Sequence, residues 1–196
     1  MPNWTENELT ITGSGIQKVL DAIGSETSED EDARIFDFDR IIPYPQRFKD
    51  LDLRNREYQK KFYAIEYEDP ECTAKRTALA LEYGAEPCSP WLPDGFNSGG
   101  FEWTCDHWGT KWNAVRVKVK LYWKMSSDDL HHAFIKFDTA WSPPIPVIEK
   151  LAAMFPHNSF KLAYFEGGMG FCGKVRWEHG VELDHQQADY HGSRGG

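Results

Sequence analysis

Long hydrophobic runs are missing from this sequence. No apolar stretch among its 196 residues approaches the ~18–20 that a membrane-spanning helix needs. The opening Met1-Pro2-Asn3-Trp4 has no basic region leading into an apolar one, so the expectation is a cytoplasmic protein without a membrane partner. Cysteine is sparse. Cys72, Cys88, Cys105 and Cys172 fall at irregular spacings with no C-x-x-C pair, so reduced thiols are expected and an iron–sulfur cluster is not. A zinc set of Cys105 and His107 with Cys88 and Cys72 is the alternative, weaker for want of a close pair. His131-His132 and the late histidines His179, His185 and His191 add no ligand spacing to it. Absent too are a phosphate-binding glycine loop, a dinucleotide fingerprint, a Ser-His-Asp order and a paired-carboxylate motif. No cofactor and no metal is expected. Positive charge is in deficit: 22 Lys and Arg face 31 Asp and Glu, a formal charge of -9. That balance disfavours broad attraction to nucleic acid or anionic lipid and leaves room only for a local patch of the opposite sign.

Aromatic residues are abundant, with 8 Trp, 8 Tyr and 12 Phe. Asn7 to Thr12 alternates apolar and polar positions as a half-buried strand does. Gly13-Ser14-Gly15 ends it, Ser14 is placed to cap a helix with Ile16, Val19, Leu20 and Ile23 on one side, and Gly24 stops that helix. The acidic run Glu26, Glu29, Asp30, Glu31, Asp32 reads as a solvated linker, with a DNA-mimicking surface as the sharper alternative. Ile35 to Ile42 is the next strand candidate, closed by Pro43 and Pro45.

Residues 46–113 depart from this alternation and read as an insertion. Tyr58, Phe62 and Ile65 suit a short helix, and Thr73 is placed to cap another through Leu79, Leu81 and Tyr83. Prolines and glycines from Pro87 to Gly100 then break regular structure, although Trp91, Phe96, Phe101 and Trp103 lie among or just beyond them. A loop so rich in rings is expected to pack as a folded cap over the sheet.

The last third is the most regular. Val115, Val117, Val119, Leu121 and Trp123 alternate with Arg116, Lys118, Lys120 and Tyr122 as in a strand with one core face and one wet face. After a polar turn at 126–129, Ile135, Phe137, Thr139 and Trp141 repeat the pattern, with Trp141 assigned to the core. Ser142-Pro143-Pro144 starts a helix buried through Ile145, Ile148, Leu151, Ala152 and Phe155. A hairpin of Phe160, Leu162, Tyr164 and Phe171, Gly173, Val175, Trp177 follows. Residues 179–196 read as a polar, mobile tail. The order implies a single α+β domain over 1–178. It would be a ferredoxin-like split βαβ sandwich with an antiparallel sheet, helices on one face, an extra C-terminal strand and the aromatic-rich helical and loop insertion.

Met1-Pro2-Asn3-Trp4 with Asn7-Glu8-Leu9-Thr10-Ile11-Thr12-Gly13, Phe36-Asp37-Phe38 running into Ile41-Ile42-Pro43, Trp108-Gly109-Thr110-Lys111-Trp112-Asn113-Ala114, and Thr139-Ala140-Trp141-Ser142-Pro143-Pro144 together resemble the YubB-like ferredoxin-domain family. That family is carried by bacteriophages and plasmids. The resemblance covers most of the chain up to His179 and implies a ferredoxin-like domain encoded by a mobile element, with no assigned activity. Many relatives carry a cysteine after the opening Asn-Trp, where this chain has Thr5.

Three function classes follow. The first is a noncatalytic binding protein acting on an unidentified host protein, such as a defence component, through the acidic run and the aromatic loop. The second is RNA or single-stranded nucleic-acid binding through a basic sheet face. Arg116, Lys118, Lys120, Lys136, Lys174 and Arg176 fall opposite the apolar series, with Asp138 and Glu178 as the acids on that side and Tyr122 and Phe134 as stacking platforms. Such cations also keep an exposed sheet soluble, which is the plainer account. Trp108, Lys111 and Trp112 belong either to that binding surface, stacking on a base while the lysine meets a phosphate, or to a tight turn whose indoles fill the interior. The third class is an enzyme using the secondary amine of Pro2 as a base once Met1 is removed.

Overall fold

The structure, a computed structural model, describes residues 3–25, 35–123 and 130–192. Pro2, the acidic run and the turn at 126–129 lie outside the described residues. The chain divides into two compact units, Met1–Pro43 with Thr104–Gly196, and Tyr44–Trp103.

The first unit is built on a six-stranded antiparallel sheet. Its strands are β1 (Trp4–Gly13), β4 (Val115–Trp123), β5 (Leu130–Ala140), β6 (Asn158–Glu166), β7 (Phe171–Glu178) and β8 (Val181–Asp189), in the order β4-β5-β1-β6-β7-β8. Helices α1 (Ile16–Ile23) and α5 (Ile145–Met154) pack on one face. Taken in chain order, β1-α1-β4-β5-α5-β6 is the ferredoxin-like split arrangement, and β7 and β8 extend it past β6. The apolar series share its interior: Leu9, Ile11, Ile135, Phe160, Leu162 and Trp177 are fully buried against Ile16, Leu20, Ile148 and Leu151.

The strand expected over Ile35–Ile42 is not a member of this sheet. Ile35–Phe36 (β3) pairs only with Gly24–Ser25 (β2), and a 3-10 turn follows at Phe38–Arg40. A side-chain clamp makes the turn. Asp37 Oδ1 accepts from Asp39 N and from Asn113 Nδ2 at 2.8 Å, while Asn113 Oδ1 accepts from Phe38 N at 2.9 Å. Phe36 and Phe38 thereby both enter the core, edge-on to each other at 5.1 Å and to Phe137. The place in the sheet expected for this segment is taken by β4.

Other local departures have similarly local causes. Ser14 makes no cap, because Gly15 at φ 69° occupies the N-cap of α1. Past His179 there is a strand in place of a mobile tail: β8 pairs along β7 from Glu178↔Val181 to Phe171↔Asp189. As an edge strand it leaves nearly every side chain exposed, so no alternation marks it in the sequence.

The second unit contains α2 (Gln46–Tyr63), α3 (Cys72–Tyr83) and a glycine-rich wide turn at Phe96–Gly100, which leads into α4 (Phe101–Trp108). Tyr58, Phe62 and Leu92 form its buried cluster, with Leu79, Tyr83 and Ala85 around them. Helix α2 is longer than the short helix expected, α3 begins at Cys72 so that Thr73 lies inside it, and Phe101 and Trp103 are helical. Asp52 on α2 holds the glycine-rich turn by accepting from the amides of Gly95 at 2.8 Å and Phe96 at 3.2 Å.

Candidate nucleic-acid interface

Alternation along each strand, read through the pairing register, assembles the face opposite α1 and α5. Directly paired residues of antiparallel strands point the same way. One lateral row is Lys120 (β4), Phe134 (β5), Thr10 (β1), Lys161 (β6), Arg176 (β7) and Asp184 (β8). The adjacent row is Lys118, Lys136, Glu8, Ala163 and Lys174. Arg116, Lys118, Lys120, Lys136, Lys174 and Arg176 are all exposed and all belong to this face.

Their charges are not equivalent. Lys136 pairs with Glu8 and Arg116 with Asp138, and Arg176 lies 4.0 Å from Glu178. Lys118, Lys120, Lys161 and Lys174 have no ion-pair partner among the described residues. Lys161 was not among the expected site residues although its signal was present, since it sits between Phe160 and Leu162 in an alternating strand. Glu6 and Glu8 of β1 belong to the same face, so its acids extend beyond Asp138 and Glu178.

Two depressions mark the face. One, of ≈ 440 Å³, is lined by Lys120, Tyr122, His132 and Phe134. Tyr122 is 52% exposed and meets the His132 ring edge-on at 5.8 Å. The other, of ≈ 230 Å³, is lined by Lys161, Lys174, Val175, Arg176 and Asp184. Rings and one cation lie at the β4–β5 side, and three cations with one carboxylate at the β6–β7–β8 side.

The segment Trp108 to Trp112 divides between interior and surface. Trp108 is buried, donating from Nε1 to the Ile42 carbonyl at 2.8 Å and meeting Phe38 edge-on. Gly109 at φ 75° makes the turn, because a side chain there would meet the Pro146 ring, and Thr110 Oγ1 donates to Ala140 O at 2.8 Å. Lys111 and Trp112 then emerge. Lys111 Nζ lies 4.7 Å from the Trp112 ring centre and 4.6 Å from that of Trp141, within cation–π range. Trp141, expected in the core, is instead 41% exposed at φ 75°. Arg116, at φ 53° beside a register shift in β4, stacks its guanidinium 4.7 Å over Trp4, which faces Trp112 at 6.1 Å. The left-handed backbone at Arg116 and Trp141 disfavours non-glycine residues. At both positions it accompanies a ring–cation contact.

Among the described residues no group of three or more His, Cys, Asp or Glu is placed to hold a metal ion. No helix among them is long and apolar enough to cross a membrane.

Sheet order and one-sided helices define an α+β protein of the ferredoxin-like class. Residues 118–193 match the family model described as a ferredoxin-like domain in Api92-like protein; this span holds most of β4 and all of β5 to β8. No curated protein matches the chain. Among solved structures, protein api92 from Yersinia pseudotuberculosis is similar at 13% identity, over 98% of this chain and 99% of that one, with a TM-score of 0.44.

Proposed function

We propose that this protein is a binding protein that takes single-stranded nucleic acid on the cationic face of its sheet. The observation that carries the reading is the set of four lysines, Lys118, Lys120, Lys161 and Lys174, without carboxylate partners among the described residues, on one face of a chain of net charge -9. A sheet that needs cations only for solubility has no reason to gather them beside rings; Tyr122, 52% exposed, and the half-buried Phe134, with Lys136 Nζ 5.7 Å from its ring centre, lie next to Lys120. Phosphate attraction with base stacking is the combination by which single strands are held without a groove to read. The resemblance of the sequence to a family carried by bacteriophages and plasmids supports a setting in the cytoplasm of a bacterium carrying such an element.

The test is fluorescence anisotropy with labelled single strands of about ten nucleotides, in RNA and DNA forms, across a salt series. Four phosphate contacts predict log Kobs falling by about 3 per decade of salt. Lys118→Glu with Lys120→Glu should abolish the signal. Absence of binding by the wild-type protein at low salt, or unchanged binding by the double variant, overturns the reading.

A second reading, contact with a host protein, is favoured by a different observation. In the Tyr44–Trp103 unit, the large side chains of Tyr67, Leu81 and Trp91 are 82%, 63% and 62% exposed and are available to a protein partner. It predicts a stoichiometric partner from lysate of the host cell whose capture fails with Tyr67→Ser and Trp91→Ser.

A further inference from the structure

Both ends of the Thr10 row carry a depression, and the two differ in chemistry. At the β4–β5 end Phe134, Tyr122 and His132 surround space for a planar ring, with Lys120 beside it. At the other end Lys161, Lys174 and Arg176 converge. Between them the only side chain in the row is Thr10, small and uncharged. The neighbouring rows are less suited to a polyanion. The Lys118 row has Glu8 at its centre, already joined to Lys136, and the next row has Asp138 and Glu6 directly paired. Carboxylates thus border one side of the Thr10 row and leave its middle free of negative charge.

We propose that a single strand crosses the sheet perpendicular to the β-strands along Lys120, Phe134, Thr10, Lys161 and Arg176. One base stacks on Phe134 and Tyr122, and the phosphates that follow rest on Lys161 and Arg176. This deepens the nucleic-acid reading above and rests on it. Four inter-strand steps of ~4.8 Å separate Lys120 from Arg176, so the track is ~19 Å long and accommodates about four nucleotides. Asp184, the next residue in the row, closes the track by repelling a further phosphate. The preference is for single strands, because a duplex hides the base faces that Phe134 would stack on.

A length series of labelled oligonucleotides, run as RNA and as DNA with a duplex of the same sequence as a third arm, tests site size. Affinity should rise steeply up to about four nucleotides and then flatten. An abasic residue at the stacking end should weaken binding by the wild-type protein about ten-fold, whereas Phe134→Ala should bind intact and abasic strands alike. Thr10→Glu should weaken binding by at least about ten-fold, and more than Thr12→Glu, which puts the same charge ~7 Å further along β1 on the same face. Circular dichroism of each variant checks folding, and the abasic comparison on wild-type protein needs no variant. Binding with equal loss from the two glutamates, or no penalty for the abasic residue, overturns the crossing track while leaving the broader reading intact; duplex held as tightly as single strand overturns both. No binding of any oligonucleotide by the wild-type protein overturns both.

Discussion

Asn7 on β1 donates from Nδ2 to Thr139 Oγ1 on β5 at 2.9 Å, with both side chains buried among the apolar residues of the sheet. The same amide group reaches Thr5 O at 2.9 Å, and Thr139 Oγ1 donates onward to Ser142 O at 2.7 Å. This short chain of polar groups ties the first strand to the turn where β5 gives way to α5. Thr139→Val keeps the shape and deletes the hydroxyl, stranding an amide hydrogen in the core, so a loss of about 1–3 kcal/mol is expected. Urea unfolding should show a lower midpoint with unchanged slope. Replacing Asn7 by Leu in the same protein should recover part of the loss, because no buried donor is then left without an acceptor.

Gly173 sits directly opposite Tyr164 in the β6–β7 ladder, and the Tyr164 ring lies across it. A Cβ at this position would run into the Tyr164 hydroxyl and the Gln186 carbonyl, the latter at 2.7 Å. The glycine therefore makes room for an aromatic ring whose hydroxyl reaches His185 Nε2 at 3.2 Å on β8, which couples the edge strand to the sheet interior. Gly173→Ala should destabilise by about 1–3 kcal/mol through overpacking. Gly173→Ala with Tyr164→Leu should be less destabilised than the glycine change alone, as judged by thermal unfolding of all three proteins.

Strands β4 to β7 were readable because apolar and polar residues alternate along them, most cleanly in β6, where Asn158 to Glu166 alternate between the core and the wet face. What the alternation could not carry is pairing. That Ile35–Phe36 leaves the sheet follows from the Asp37–Asn113 clamp, a contact between residues 76 apart in sequence. The place of β8 is set by backbone ladder bonds, which leave no mark on side-chain hydropathy. Six of the cations on the candidate face were legible for the same reason as the strands. Lys161 was equally legible and was missed, and the distinction between ion-paired Lys136 and unpaired Lys118 needed the register that places Glu8 beside only one of them.

Alkaline pH should act on the Tyr44–Trp103 unit. Burial, and then the carboxylates of Asp52 and Asp94, push the Tyr44 phenol up from 10.0 to about 12, and its ring packs on Phe48 at 5.4 Å and edge-on to Trp103 at 5.6 Å. A phenol that holds its proton more tightly when folded contributes stability that is complete below pH 10 and is lost as pH rises towards about 12. Tyr58 and Tyr164 are also raised by burial, so the wild-type transition is composite. Tyr44→Phe should shift the onset of alkaline unfolding upward and remove one late-titrating phenol from the phenolate absorbance curve. A curve superimposable on that of the wild-type protein rejects this account.

Asp184 is the cross-strand partner of Arg176 and the one carboxylate in the depression formed by Lys161, Lys174 and Arg176. Its structural contribution is small: it accepts from Gln186 Nε2 at 2.9 Å at the surface, a contact of the exposed kind that adds little to stability. Its electrostatic contribution to the face is larger, because a phosphate resting on Arg176 is held against the repulsion of the carboxylate next to it. Asp184→Asn keeps the size and the acceptor oxygen and removes the charge. Thermal unfolding should therefore be nearly unchanged, while affinity for a single-stranded oligonucleotide rises about two- to five-fold at low salt and converges on the wild-type value as screening shortens the reach of the charge. Weaker binding by Asp184→Asn would mean that the carboxylate orients the cations and does not compete for them. A gain that persists undiminished at high salt would remove electrostatics as its cause, because two groups paired across neighbouring strands at the protein surface act on a bound phosphate through solvent that salt can fill.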